Sequence, residues 1–341
     1  SDNWGFTATP DNYSNLFGGG IVFGFGYPTT TGDYDVSFNS GIGTYPMDIG
    51  ITKYSANGNN LLYSTFIGGS GNETPHSLVA ADNGELFIYG VTCSVDFPMA
   101  GTPYDNSFNG GPYVIENSLD FDGSDVFIAR LSPNGAALLS STYVGGSDQD
   151  GLNTNNLKYN YGDQFRGEIT LDANGNVYIA STTYSTNFPT SSPGGTVQSN
   201  LSGIQDAVLF KMPSNLSSLI WSSYFGGLGI ETGNSIQTSN SGNELCIAGG
   251  TNSNVLPVTT GEDLTFNGGL SDGYAAKFNA NNGTLISGTF MGLSEYDQTY
   301  FVQYDINDDI YVFGQTESSW PMSAGCYGIP NSGQFLRKYN S

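Results

Sequence analysis

Cations are scarce in this 341-residue chain: eight Lys and Arg stand against 31 Asp and Glu, for a net charge of −23 at pH 7. The position of each cation is therefore informative. Five of them, Lys53, Arg130, Lys211, Lys277 and Lys338, fall at one matched position in the segments DIGITKY, DVFIARL, DAVLFKM, DGYAAKF and QFLRKY. Set around an axis, such cations could bind an anion. A residue placed by an internal repeat more often serves the repeat, so the expected role is one structural ion pair per unit.

Other chemistry-bearing residues are isolated. The turn acids Asp82, Asp172, Asp305 and Asp309 carry the oxygen ligands that Ca²⁺ favours. The same Asp-x-Asn-Gly pattern also organises ordinary hairpins, and the distal Glu of an EF-hand is missing. Ca²⁺ is thus the one cofactor considered, and no metal site is assigned. His76 is the single histidine, with no Ser, Cys or second His placed beside it by a motif. It is expected to be structural or solvated, not part of a triad or zinc site. The Gly-rich runs Gly68–Gly71 and Gly145–Ser147 open no helix and precede no Lys-Ser/Thr, so they are not phosphate loops. Cys246 takes a Phe87-like position and reads as a buried small hydrophobe. Cys93 and Cys326 offer one pairing that their spacing does not establish.

Two long stretches break the repeat, Gly101 to Ser124 and Gly151 to Arg166. The second holds Lys158, Tyr159, Tyr161, Asp163 and Arg166, a mix of aromatic, amide-flanked and charged groups suited to sugar or protein contacts. These five are the candidate binding residues. The competing expectation is a loop that only packs over its neighbour. No catalytic residue is assigned. Glycoside cleavage would need two acids about 5 to 9.5 Å apart, and the sequence does not place Asp163 or Glu168 against a partner.

The elements that must position these residues repeat along the chain. First strands with their turns read HSLVAADNG, GEITLDANG, NSIQTSNSG and FVQYDINDD. Second strands read ELFIYG, NVYIAS, ELCIAG and DIYVFG, with a degraded copy in Ser14 to Thr29. Third strands carry the matched cation, and fourth strands read LLYSTFIGG, LLSSTYVGG, LIWSSYFGG and LISGTFMG. Short Asp/Asn/Gly turns join them as hairpins. Pro28, Pro98, Pro189, Pro257 and Pro321 mark the same repeat position. No stretch shows convincing helical periodicity. The pattern predicts an all-β fold, a β-propeller of four-stranded antiparallel blades. A parallel β-helix is the competitor, and the hairpin turns argue against it. Five blades are started, at about 1–70, 71–147, 148–227, 228–293 and 294–341, the fifth lacking its outer strand. The expectation is a single propeller segment over 1–341, cut at both ends from a larger protein whose ring has six or seven blades.

The units resemble the SBBP-type β-propeller repeat, through Ser141-Thr142-Tyr143-Val144-Gly145-Gly146-Ser147, Asp172 to Tyr178 and Thr183 to Pro189. The flavour NWGFTATPDN followed by GYPTTTG is similar to large secreted proteins of gliding Bacteroidetes-type bacteria. This resemblance implies export, cell-surface display and an association with gliding motility or type IX secretion. It implies no particular ligand, because propellers host unrelated functions.

Composition limits the partners. An acidic chain repels nucleic acid and anionic membrane surfaces, and no apolar run of 18 or more residues supports membrane insertion. The expected function is a non-enzymatic, secreted or cell-surface module for adhesion or assembly. Its partners would be surface proteins, glycans or other domains of the same polypeptide, met at the face where long loops gather. The alternative is a carbohydrate-active enzyme, a glycoside hydrolase or lyase with acids in a central channel.

Overall fold

The computed structural model describes residues 2–39, 41–191, 198–329 and 331–340; the terminal Ser1 and Ser341 lie outside them. The fold is all-β. Sheet one runs β1 (Asp2–Pro10), β2 (Leu16–Phe23), β3 (Asp48–Tyr54), β4 (Leu61–Ile67). Sheet two begins with β5 (Glu73–Ala80) and β6 (Leu86–Thr92). A two-stranded hairpin, β7 (Tyr113–Glu116) and β8 (Leu119–Asp122), is then inserted before β9 (Asp125–Leu131) and β10 (Leu138–Val144) complete the sheet. Sheet three is β11 (Glu168–Leu171), β12 (Val177–Thr183), β13 (Asp206–Met212) and β14 (Trp221–Phe225). Sheet four is β15 (Ser235–Thr238), β16 (Glu244–Thr251), β17 (Asp272–Asn279) and β18 (Leu285–Met291). Sheet five has three strands, β19 (Asp297–Tyr304), β20 (Ile310–Thr316) and β21 (Gln334–Tyr339). All pairings in these sheets are antiparallel, in sequence order.

Alternation explains how the sheets stack. Successive side chains of a strand point to opposite faces. In β13, Ala207 and Leu209 enter a core shared with sheet four, and Val208 and Phe210 enter one shared with sheet two. Every residue of β12 and β13 is therefore buried, although neither strand shows a polar face. Corresponding cores lie between sheets one and two, around Ile49, Ile51, Ile88 and Phe127, and between sheets four and five, around Cys246, Val302 and Val312. β21 alternates instead: Phe335 is buried and Leu336 is exposed, because only one face of sheet five is covered.

The matched cations join successive sheets. Lys53 pairs with Asp11 at 3.0 Å and donates to the carbonyl of Pro133 in the β9–β10 turn of the next sheet. Arg130 pairs with Glu85 at 2.6 Å and reaches the Ser214 carbonyl of sheet three. Lys211 pairs with Asp172 at 3.4 Å and reaches the Ala280 carbonyl of sheet four. Lys277 pairs with Glu244, and Lys338 with Asp309. Each is thus a structural ion pair, and three of the five also staple one sheet to the next.

The remaining single residues are placed by packing. Cys246 is buried in the core, as its Phe87-like position predicts. Cys93 and Cys326 are free thiols: Cys93 is buried, with its Sγ accepting the Asn72 N–H, and Cys326 is exposed. Asp172 and Asp305 each accept two backbone N–H groups within their own turn, Asp309 is held by Lys338, and Asp82 accepts from the Asn12 amide.

Candidate functional site

A cavity of about 580 Å³ is bounded by all five first strands. Its wall includes Trp4 and Phe6 of β1, His76 of β5, Glu168 of β11, Gln237 of β15 with the preceding Asn234, and Phe301 of β19. Tyr161, Phe165 and Arg166, from the loop that leads into β11, complete it. The volume lies within the usual range of small-ligand clefts, about 300–1,000 Å³.

The loop at 151–166 crosses from sheet two to sheet five. Lys158 pairs with Glu116 of the β7–β8 hairpin at 2.7 Å. Tyr159 stacks on Tyr296 with ring centroids 4.1 Å apart, and its hydroxyl meets Glu317. Asp163 is buried in a 3₁₀ turn (Asp163–Phe165) and accepts the N–H groups of Tyr159 and Asn160, Arg166 Nε at 3.1 Å and the Tyr300 hydroxyl at 3.2 Å. Arg166 also lies over the Tyr300 ring. Lys158, Asp163 and Arg166 are therefore committed to holding the loop, while Tyr159 and Tyr161 are 51% and 71% exposed. The structure brings the five residues into one loop but presents chiefly its two tyrosines.

The acids considered for cleavage chemistry are equally committed. Glu168 accepts from the Ser235 hydroxyl, the Ile236 N–H at 2.8 Å and the Gln237 amide at 3.0 Å. Burial pushes its carboxyl above the ordinary Glu value, and these three donors offset that rise only in part. His76 is wedged edge-on to Tyr89 beside Phe165, and burial pushes its imidazole down to about 3, so it is neutral. Asn234 donates to the Thr299 carbonyl at 2.8 Å, and its Oδ1 is buried without a donor among the described residues. What the wall offers a ligand is aromatic surface, amides and one Arg whose charge Asp163 offsets.

Reasoning from sequence missed the first-strand contributors Trp4, Asn234 and Gln237. Their only signal is position: each lies in or just before a first strand, where a radial arrangement would bring side chains to the axis.

No family model and no curated protein matches this chain. Among solved structures, it is similar to a protein of unknown function from Dyadobacter fermentans, at 10% identity and a TM-score of 0.49, over 98% of this chain and 78% of that one. An ulvan lyase, a polysaccharide lyase, aligns at 10% identity and a TM-score of 0.45 over 98% and 68%. A β-xylosidase aligns at 9% identity and 0.37 over 91% and 85%.

Proposed function

We propose that this chain is a non-catalytic binding module, a segment of an SBBP-type β-propeller carried by an exported cell-surface protein. The observation that supports it most is the shared cavity: five first strands converge on one space, as radially arranged blades require. Sheets one and five each leave apolar side chains uncovered, Leu16 and Leu62 on one and Phe301 and Leu336 on the other. That supports a ring of six or seven blades. The cavity and the exposed Tyr159 and Tyr161 form the recognition surface, suited to a glycan or to the loop of a surface protein by aromatic and amide contacts.

The commitment of Asp163 and Glu168 to structural donors supports a non-catalytic role. A general acid needs an O–H, and a nucleophile or base a free lone pair, that faces substrate. A glycan array run with a hydrolysis and lyase assay tests this reading. Binding without turnover, weakened by Tyr161→Ala, is the expected result. Turnover that disappears in Asp163→Asn or Glu168→Gln would replace the reading with the enzymatic alternative.

A further inference from the structure

Strand register reveals a row of residues at the end of each sheet opposite the matched cations. In sheet two it is Glu73–Thr92–Asp125, and in sheet three Asp150–Thr183–Asp206. Sheet four has Glu231–Thr251–Asp272. Every junction between successive sheets brings the third-strand Asp of one sheet toward an acid ahead of or opening the first strand of the next: Glu73 and Asp297 open β5 and β19, and Asp150 and Glu231 stand in isolated bridges before β11 and β15. The pairs are Asp48 with Glu73, Asp125 with Asp150, Asp206 with Glu231 and Asp272 with Asp297, and all eight residues are at 0% exposure.

A glycine marks each meeting point. A Cβ on Gly68 would lie 2.7 Å from both Asp48 Oδ1 and Glu73 Oε2; on Gly145, 2.4 Å from Asp125 Oδ1 and 2.9 Å from Asp150 Oδ2; on Gly226, 2.4 and 2.5 Å from Asp206 Oδ1 and Glu231 Oε2. On Gly292 it would lie 2.0 Å from Asp272 Oδ1. Only glycine lets the two carboxyls come this close.

The other oxygens are well used. Backbone N–H groups of Asn39, Asn109, Ser202 and Asn267 donate to the third-strand Asp at 2.6–2.9 Å. Thr92 and Thr251 donate to Glu73 and Glu231 at 2.6 and 2.5 Å, and Thr183 donates to Asp150. Yet Oδ1 of Asp48, Asp125, Asp272 and Asp297 is buried with no partner among the described residues.

No basic side chain among the described residues compensates these pairs. All eight basic side chains are engaged by other acids: Asp11, Glu85, Glu116, Asp163, Asp172, Glu244, Glu262, and Asp305 with Asp309. The titratable groups that do face the pairs are acidic or phenolic, apart from one thiol. Asp35, Cys93 and Tyr143 face the first junction, and Asp105, Tyr143 and Tyr224 the second. Tyr224 and Tyr274 face the third, and Asp263, Glu295 and Glu317 the fourth. The two row positions that meet no neighbouring sheet carry no acid: they are Asn3, opposite Val22 and Asp48, and Gly333, beside Thr316. The acids occur as pairs.

We propose that the four junctions are proton-linked locks: each buried carboxyl pair holds a proton while its sheets are packed, and the junction loosens when rising pH ionises both members. Two like charges in a dry site cannot both be ionised without a large penalty. Burial accordingly pushes Asp48, Asp125, Glu231 and Asp272 up to about 7 and Glu73 to about 8. In the unfolded chain the same groups release their protons near pH 4. The native state then binds more protons than the unfolded state between about pH 4 and 8, so stability falls as pH rises across that window.

The test is thermal unfolding of the full chain in EDTA at pH 5.5 and 8.5, with infrared detection of protonated carboxyls at pH 6.5. The midpoint is expected to be at least about 5 °C higher at pH 5.5, and a protonated-carboxyl band should be present. The variant Asp48→Asn/Asp125→Asn/Asp206→Asn/Asp272→Asn should lose at least half of both signals. A control with the same charge change away from the junctions, Asp82→Asn/Asp122→Asn/Glu262→Gln/Asp308→Asn, should keep both. If the quadruple junction variant does not fold, single Asp206→Asn should still diminish the band. Equal pH slopes in junction and control variants would overturn the proposal, as would a wild-type chain with no such band. A midpoint at pH 8.5 raised by Ca²⁺ in place of EDTA, and insensitive to Ca²⁺ in the junction variant, would overturn it in favour of a cation site.

Discussion

The two ends of the third strand in sheets one to four do opposite electrostatic work five residues apart. At one end Lys53 or Lys211 is matched by an acid: burial pushes Asp11 and Asp172 up, but hydrogen bonds from Asn15 or Asn176 and the lysine outweigh it and hold both carboxyls below the ordinary Asp value. At the other end Asp48 or Asp206 meets a second acid and no basic side chain, and burial outweighs the hydrogen bonds from Asn39 or from Ser202, Gly203 and Gln198. Both ends join one sheet to the next. One joins them through compensated charge, the other by suppressing charge, and only the second should respond to pH near neutrality.

The contrast can be broken most severely at the cation end. Lys211→Met leaves the Asp172 carboxylate buried without its cation and is expected to cost about 3–5 kcal/mol in denaturant unfolding. Lys338→Met, where the side chain is 44% exposed, is expected to shift the unfolding midpoint far less, because solvent screens an exposed ion pair. Equal losses would mean that the staple to the next sheet contributes nothing.

At the acid end, Gly145→Ala forces a methyl against Asp125 and Asp150 and should cost about 1–3 kcal/mol. Gly5→Ala, with nothing within 4 Å of its Cβ position, should stay within about 0.5 kcal/mol. A third separation is available in acid. Carboxyls held low stabilise the fold above their unfolded value, and that contribution is lost as pH falls through the folded value. The cation end should therefore weaken below about pH 4, where the acid end is fully protonated, placing maximal stability in mildly acidic solution. A thermal midpoint scanned from pH 3 to 9 would show the two limbs.

The smallest structural effect is expected outside the repeat. Tyr161→Ala should leave unfolding unchanged within about 0.5 kcal/mol while weakening glycan or protein binding. Asp163→Asn should loosen the loop, seen as faster proteolysis within 151–166.

Legibility in the sequence followed periodicity. Strands with alternating or continuous apolar residues, the turn residues and the matched cations were readable because each recurs at fixed spacing, and the four-stranded sheets follow from them. The β7–β8 hairpin was not readable, because Tyr113–Asp122 occurs once and has no copy to compare. The junction acids were present in plain view: Glu73, Asp150, Glu231 and Asp297 each stand five residues after a glycine, as in Gly68 and Glu73 or Gly226 and Glu231. Their meaning was hidden because the partner of each acid is fixed by packing between sheets, not by any spacing along the chain. The same reason obscured the axial wall. Trp4, Asn234 and Phe301 converge only once the sheets are stacked.

The comparison between the two strand ends is tested most directly by hydrogen exchange of the full chain at pH 6 and pH 8.5, corrected for the intrinsic pH dependence of exchange. Protection is predicted to fall at the acid ends, 68–73, 145–150, 226–231 and 292–297, and to hold at the cation-end turns, 133–137 and 213–217. A uniform change at both ends, or greater protection of the acid ends at pH 8.5, would contradict the account.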